Sequence, residues 1–201
     1  MNRIKEIGLI VNKLLPNKLL DVGCRDCILE SSISDSIVYY GCDLYQNEKK
    51  SVDFVGDILS LDLPEVNFDC VTAIDILEHT DDPYTITDKL FNITDSYLIV
   101  NLPNCYDLKG IYKFVIKGHL GGKYKFEPTN QLDRHRWVMN VNEILNFYKY
   151  YADKFDCELT IKHITYGGGM DSNVSNLFAI LVKLLPARLI TSSVVGVFRK
   201  K

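Results

Sequence analysis

The sequence predicts a three-layer α/β fold built on a mostly parallel sheet. Seven short apolar runs have strand character, and helical periodicities alternate with them until a final pair of strands closes the pattern. Most of the runs are apolar without strict alternation, as expected of strands covered on both faces. The length of 201 residues, 47% hydrophobic and 24% charged, suits one domain with a full core, and no repeat or linker divides residues 1–201.

The elements follow in order. Ile4, Ile7, Val11, Leu14 and Leu15 recur at helical spacing near the start. Strands are expected over Lys18–Cys24, Ile37–Leu44, Asp53–Ile58, Phe68–Asp75 and Ser96–Leu102. Between the last two lies a helix whose start is marked by Asp82 as cap and Pro83 at the first helical position, with Tyr84, Ile86, Leu90, Phe91 and Ile93 as its inward face. Asn140 and Glu143 have the spacing of a capping box ahead of a second helix carrying Val141, Ile144, Leu145, Phe147, Tyr148, Tyr151 and Phe155. Strands over Cys157–Tyr166 and Ser192–Arg199 flank an apolar helix near Asn176–Leu185.

Composition excludes several classes of function. Net charge is −3, which argues against a protein that mainly coats nucleic acid. The first residues lack a cleavable export signal, so a cytoplasmic protein with free thiols at its six cysteines is expected. Cys24 and Cys27 have redox or zinc spacing but no second pair. The stretch from Leu177 to Ile190 is interrupted by Lys183, Pro186 and Arg188, so no transmembrane segment is expected.

In parallel sheets ligands bind beyond the carboxyl ends of the strands. Five such ends read Asp21-Val22-Gly23-Cys24-Arg25-Asp26-Cys27, Gly41-Cys42-Asp43-Leu44, Gly56-Asp57-Ile58, Asp75-Ile76-Leu77-Glu78-His79 and Asn101-Leu102-Pro103-Asn104. Gly23 lets backbone approach a ligand, Asp43 can accept both hydroxyls of a ribose, and Asp57 can meet an adenine amino group. The later glycines of a dinucleotide loop are missing, which favours a nucleoside ligand without phosphate.

These residues resemble the class I S-adenosylmethionine-dependent methyltransferases, of the type 11, 12 and 23 group, over nearly the whole chain. Leu19-Leu20-Asp21-Val22-Gly23-Cys24 is similar to their first motif, Asp43 and Asp57 to their ribose-side and adenine-side acids, and Leu77-Glu78-His79 to a Leu-Glu-His element. The resemblance implies a Rossmann-like sheet of seven strands with an antiparallel last strand. It implies S-adenosylmethionine as cofactor, held around Asp21, Gly23, Cys24, Arg25, Asp43, Leu44, Asp57, Ile58 and Asp75. Leu102-Pro103-Asn104, Gly122-Lys123-Tyr124 and Leu132-Asp133-Arg134-His135-Arg136-Trp137 resemble a branch seen in glycan and lipid-linked sugar biosynthesis. That branch implies methyl transfer to oxygen or nitrogen of a small-molecule, sugar or lipid-linked acceptor. The chain departs from the family at Arg25 and Cys27, where glycine is usual. The competing reading is a decayed methyltransferase fold kept as a binding or structural subunit.

On the acceptor side, His135 is the expected general base, with Asp133 orienting its ring or holding a substrate hydroxyl, and His79 is its rival. Asp75, Glu78 and His79 offer three ligands to a divalent ion with no evident fourth, so metal-free chemistry is expected. Residues 104–138 read as a substrate-recognition insertion or lid. Within it Lys109, Lys113 and Lys117 form one helical stripe, either a solvated face over an apolar underside or a recognition surface for an anionic acceptor.

Overall fold

The computed structural model describes residues 3–63, 68–129, 133–165 and 185–201. Its seven strands are β1 (Lys18–Val22), β2 (Val38–Asp43), β3 (Phe54–Val55), β4 (Phe68–Ile74), β5 (Thr94–Pro103), β6 (Cys157–Thr165) and β7 (Thr191–Lys200). They form one sheet in the order β3-β2-β1-β4-β5-β7-β6. Strands β1 to β5 pair in parallel, while β7 enters between β5 and β6 and runs antiparallel to both. Parallel pairing brings the carboxyl ends of β1 to β5 to one edge.

Alternate residues of each strand serve opposite faces. Leu20, Val71, Val100 and Val194 face helices α2 (Pro83–Asn92) and α4 (Val141–Lys154), meeting Leu90, Phe91, Ile144 and Tyr148. Leu19, Cys70, Ile99 and Val195 face α1 (Arg3–Leu14), meeting Ile7 and Val11. Phe91 stacks on Phe155 at 4.2 Å between ring centroids, tying α2 to the end of α4. Gly196 leaves room for this layer, since a Cβ there would lie 2.9 Å from the ring of buried Tyr148.

The capping signals act as the sequence suggests. Asp82 accepts from the amides of Tyr84 and Thr85, each at 3.0 Å. Asn140 and Glu143 close a reciprocal capping box on α4. Such caps contribute about 0.5–2 kcal/mol each.

Two details of the inward faces differ. Leu15 is exposed beyond α1, and Tyr84 stands exposed on α2. The connection from β1 to β2 contains a single 3-10 turn, Glu30–Ser32, and its inward residues are Cys24, Cys27 and Leu29. All six cysteines are free thiols. The expected helix near Asn176–Leu185 falls almost wholly outside the described residues, as does Leu132 of the Leu132–Trp137 motif. Among the described residues no helix is long and apolar enough to cross a membrane.

Candidate active site

The loop after β1 begins at Gly23, whose φ of +74° is left-handed and whose Cβ, were there one, would lie 2.0 Å from Ile76 Cγ2. No side chain fits there. Arg25 and Cys27 follow with φ of 50° and 53°. Their left-handed backbone explains the glycines usual at these places, and holding it with a side chain costs roughly 1–2 kcal/mol per residue. Neither side chain crowds the loop: Arg25 is exposed, and Cys27 is buried with its sulfur 3.6 Å from that of Cys24.

The Arg25 amide donates to Asp43 Oδ2 at 2.9 Å, clamping the loop to the end of β2. Asp43 Oδ1 receives only a long contact from the Tyr45 amide at 3.4 Å, which leaves it lone pairs for a ligand hydroxyl. Leu44 beside it is exposed. At the end of β3, Asp57 is exposed and accepts from the Leu59 amide at 3.0 Å, while Ile58 turns inward. Two accessible carboxylates with an apolar neighbour are an acceptor set that suits ribose hydroxyls and an adenine amino group.

Asp21 differs from the role the sequence suggests. It is buried, with Oδ1 accepting from the Thr72 hydroxyl at 2.6 Å and Oδ2 from the Tyr39 hydroxyl at 2.9 Å. Burial pushes its carboxyl up to about 6. Asp21 thus braces three adjacent strands from inside the sheet. Asp75, at φ 55°, accepts from Asn101 Nδ2 at 2.5 Å and pairs with Arg3 at 2.8 Å. Desolvation raises its pKa in spite of the Arg3 charge.

Beyond β4 the chain makes a 3-10 turn over Leu77–His79 that carries Glu78 into full burial. The Glu78 carbonyl accepts from the Arg136 amide at 2.7 Å, Arg136 Nε donates to the His79 carbonyl at 2.9 Å, and Trp137 Nε1 donates to the Thr80 carbonyl at 2.9 Å. These bonds dock the 133–138 segment against the turn. His79 and His135 then meet edge to face at 4.5 Å, and Tyr124 backs His135 at 4.6 Å. Glu78 Oε1 lies 3.9 Å from His79 Nε2 and 4.0 Å from His135 Nε2.

Both Glu78 oxygens and the Nδ1 atoms of His79 and His135 are buried without a hydrogen-bond partner. Burial raises Glu78 to about 8 and lowers His135 to about 4, and it lowers His79 as well. The cluster therefore holds a protonated acid beside two neutral imidazoles near neutral pH. Glu78, His79 and His135 each offer a ligand atom, all within 4.8 Å of one another. This changes the cation set read from the sequence: His135 takes the place of Asp75, which is engaged by Arg3 and Asn101, and the set again offers three ligands. Asp133 also shifts role, lying 3.6 Å from the His79 ring and 2.7 Å from Lys123.

A family described as a methyltransferase domain matches residues 20–96, which span β1 to the start of β5. That segment, which is under half of the chain, is similar to a methyltransferase domain. Solved structures share the methyltransferase fold. The methyltransferase domain of bacterial CtHen1-CN superposes at a TM-score of 0.62 with 18% identity, over 98% of this chain and 97% of that one. The small RNA methyltransferase HEN1 gives 0.69 with 16% identity, over 99% of this chain and 25% of that one. A SAM-dependent methyltransferase from Archaeoglobus fulgidus gives 0.61 with 17% identity, over 99% and 95%. A comparison with curated proteins gave no match.

Two contacts of the candidate site carried no signal in the sequence. Arg3 reaches Asp75 from a helix whose other residues read only as amphipathic. Tyr124 packs on His135 and shares a 3.1 Å contact with the Cys105 thiol. Nothing in their spacing announces either meeting.

Proposed function

We propose that this methyltransferase transfers the methyl group of S-adenosylmethionine to a hydroxyl oxygen, with the acceptor seated against Glu78, His79 and His135. The cofactor would be held at Asp43 by its ribose and at Asp57 by its adenine. Leu44 and Ile58 would line the ring, and the Gly23–Arg25 loop and Asp75 would face the amino-acid end. The sulfonium supplies the activation of the methyl group when bound. The protein must align acceptor, methyl carbon and sulfur, and positioning of that kind can contribute several kcal/mol, about 7–11 in favourable cases.

The observation that carries the acceptor side is the set of buried donors left without partners. Unpartnered buried carboxylates are costly, and two neutral imidazoles beside one fit a divalent cation of the imidazole-tolerant kind, such as Mn²⁺, Co²⁺ or Zn²⁺. Such an ion would supply Lewis acidity toward an acceptor hydroxyl. This replaces the metal-free expectation. Titration of the protein with Mn²⁺ by calorimetry, wild type against Glu78→Gln, tests the site directly. Saturable binding lost in the variant is the expected result, and no binding by the wild type returns the chemistry to a protein base.

That second reading also rests on an observation. Asp133 Oδ1 lies 3.6 Å from His79 Nδ1, close enough to support a charge on that ring though not hydrogen-bonded to it, and His135, held near 4, is the weaker base. Full turnover in EDTA, with collapse in His79→Gln, would support it.

The acceptor class follows from the surroundings. An apolar cavity of about 260 Å³ lies between Leu77, Tyr84, Leu102, Trp137, Met139 and Phe147, and Arg134 and Arg136 line a polar recess beside Trp137. A small or lipid-linked acceptor with an apolar part and an anionic group, such as a sugar phosphate, suits this pair of features. Residues 104–138 would act as its recognition insertion. The glycan and lipid-linked branch rests on these residues alone, since the solved structures named above are not described as acting on such acceptors.

A further inference from the structure

Helix α3 (Leu108–Lys117) leaves the carboxyl end of β5 and buries none of its residues. At 3.6 residues per turn, Leu108, Ile111, Tyr112, Phe114, Val115 and Ile116 cover an arc of roughly 200°, and Lys109, Lys113 and Lys117 occupy part of the remainder. A helix this amphipathic ordinarily lays its apolar arc on a core. Here the arc faces outward, with Phe114 61%, Val115 68% and Ile116 65% exposed. Phe126, a few residues on, is 88% exposed. The apolar underside expected from the sequence is present, and none of the described residues covers it.

Charge identifies what covers it. Leu108 to Phe126 contain five lysines and no Asp or Glu, in a chain whose net charge is −3. Among the described residues Lys109, Lys113 and Lys117 make no ion pair, whereas Lys123 is engaged by Asp133 and Lys125 approaches Glu127 at 3.9 Å. A short helix with an apolar arc bordered by unpaired lysines, with aromatic residues among its exposed side chains, has the composition of an element lying in the plane of a bilayer interface. Its lysines can reach the headgroups while their stems cover apolar surface.

We propose that α3, with Phe126 beside it, is an in-plane docking surface for an anionic phospholipid bilayer. The helix grows from the strand end that carries the site, so docking sets that edge of the sheet toward the headgroups. A dimer buried through the same arc would bring Lys109, Lys113 and Lys117 of two copies near one another, which disfavours a second copy as the occupant.

The test is co-sedimentation with vesicles of 70:30 phosphatidylcholine to phosphatidylglycerol, and with phosphatidylcholine alone, at low salt. The full chain should bind the anionic vesicles at least tenfold more tightly, and 0.5 M salt should weaken that binding. Reversing Lys109, Lys113 and Lys117 to Glu should cut the partition coefficient about a hundredfold or more, at a typical contribution of ~1 kcal/mol per lysine. Phe114→Asp with Val115→Asp should abolish it. Both positions are exposed, so the variants should fold, and retained S-adenosylhomocysteine binding would confirm that. Equal binding to neutral vesicles, no partition at all, or binding that survives Phe114→Asp with Val115→Asp would overturn the proposal. A concentration-dependent dimer dissolved by those substitutions, without vesicle binding, would name a second copy as the occupant instead.

Discussion

The carboxylates at the ends of β2 and β3 stand at the surface with lone pairs to spare, whereas Glu78, His79 and His135 lie inward with polar atoms that meet nothing. The first set is local: each acid sits on its own strand end and is steadied by backbone amides within a few residues or by the neighbouring loop. The second is assembled from two segments, the turn after β4 and the strap before α4, held together by backbone bonds from Arg136 and Trp137. A set carried on strand ends can be written locally. The second set depends on how the 133–138 segment docks against the turn after β4.

If the halves are separable, His135→Ala should lower turnover by about 10²–10⁴-fold, the usual contribution of a positioned acid–base or ligand group, and leave S-adenosylhomocysteine affinity unchanged by calorimetry. A parallel loss of cofactor affinity would mean the strap also shapes the cofactor side. Asp43→Ala should do the reverse. Loss of a charged hydrogen-bond acceptor worth ~1.5–3 kcal/mol predicts roughly 10- to 100-fold weaker cofactor binding, and an unchanged affinity would remove Asp43 from the site.

Asp21 sharpens the contrast through pH. Burial raises its carboxyl from 3.8 to about 6, so between those values the folded chain keeps a proton that the unfolded chain gives up. Stability on this account is complete below about pH 4 and declines as pH rises to 6, by an amount on the order of 2–3 kcal/mol. Denaturant titrations from pH 4 to 6 should show that decline in the wild type and a flatter profile in Asp21→Asn. An equal slope in both would mean that Asp21 ionises normally. The smallest effect is expected at Arg25, where glycine relieves a left-handed backbone. Arg25→Gly should raise stability by about 0.5–1 kcal/mol with cofactor binding retained, and a lower melting temperature would show that the Arg25 side chain holds the loop.

The same contrast explains what could be read before the structure was known. The placement of Gly23, Asp43 and Asp57 at or just past strand ends was legible because a strand end followed by a tight turn restricts residue type at a fixed spacing. The caps at Asp82 and Asn140 were legible for the same local reason. Asp21 looked like a ligand contact because its position next to Gly23 does not reveal that Tyr39 and Thr72 take both oxygens. His135 was singled out as a base, yet its meeting with Glu78 and His79 depends on how the 133–138 segment docks against the turn after β4. Helix α3 was legible as a helix, but whether its apolar arc meets protein or open surface is a tertiary fact.

The insertion of β7 between β5 and β6 has a consequence for how the chain is made. Strand β5 finds its antiparallel partner only when Thr191–Lys200 has been synthesised, since Pro103 pairs with Ser193, about ninety residues later. Until then a nascent chain emerging from the ribosome presents Leu98, Ile99 and Val100 on a bare sheet edge. Pairings so distant in sequence close slowly, and open apolar edges invite other chains. Production at low temperature, with slow translation and chaperones in supply, therefore suits this topology.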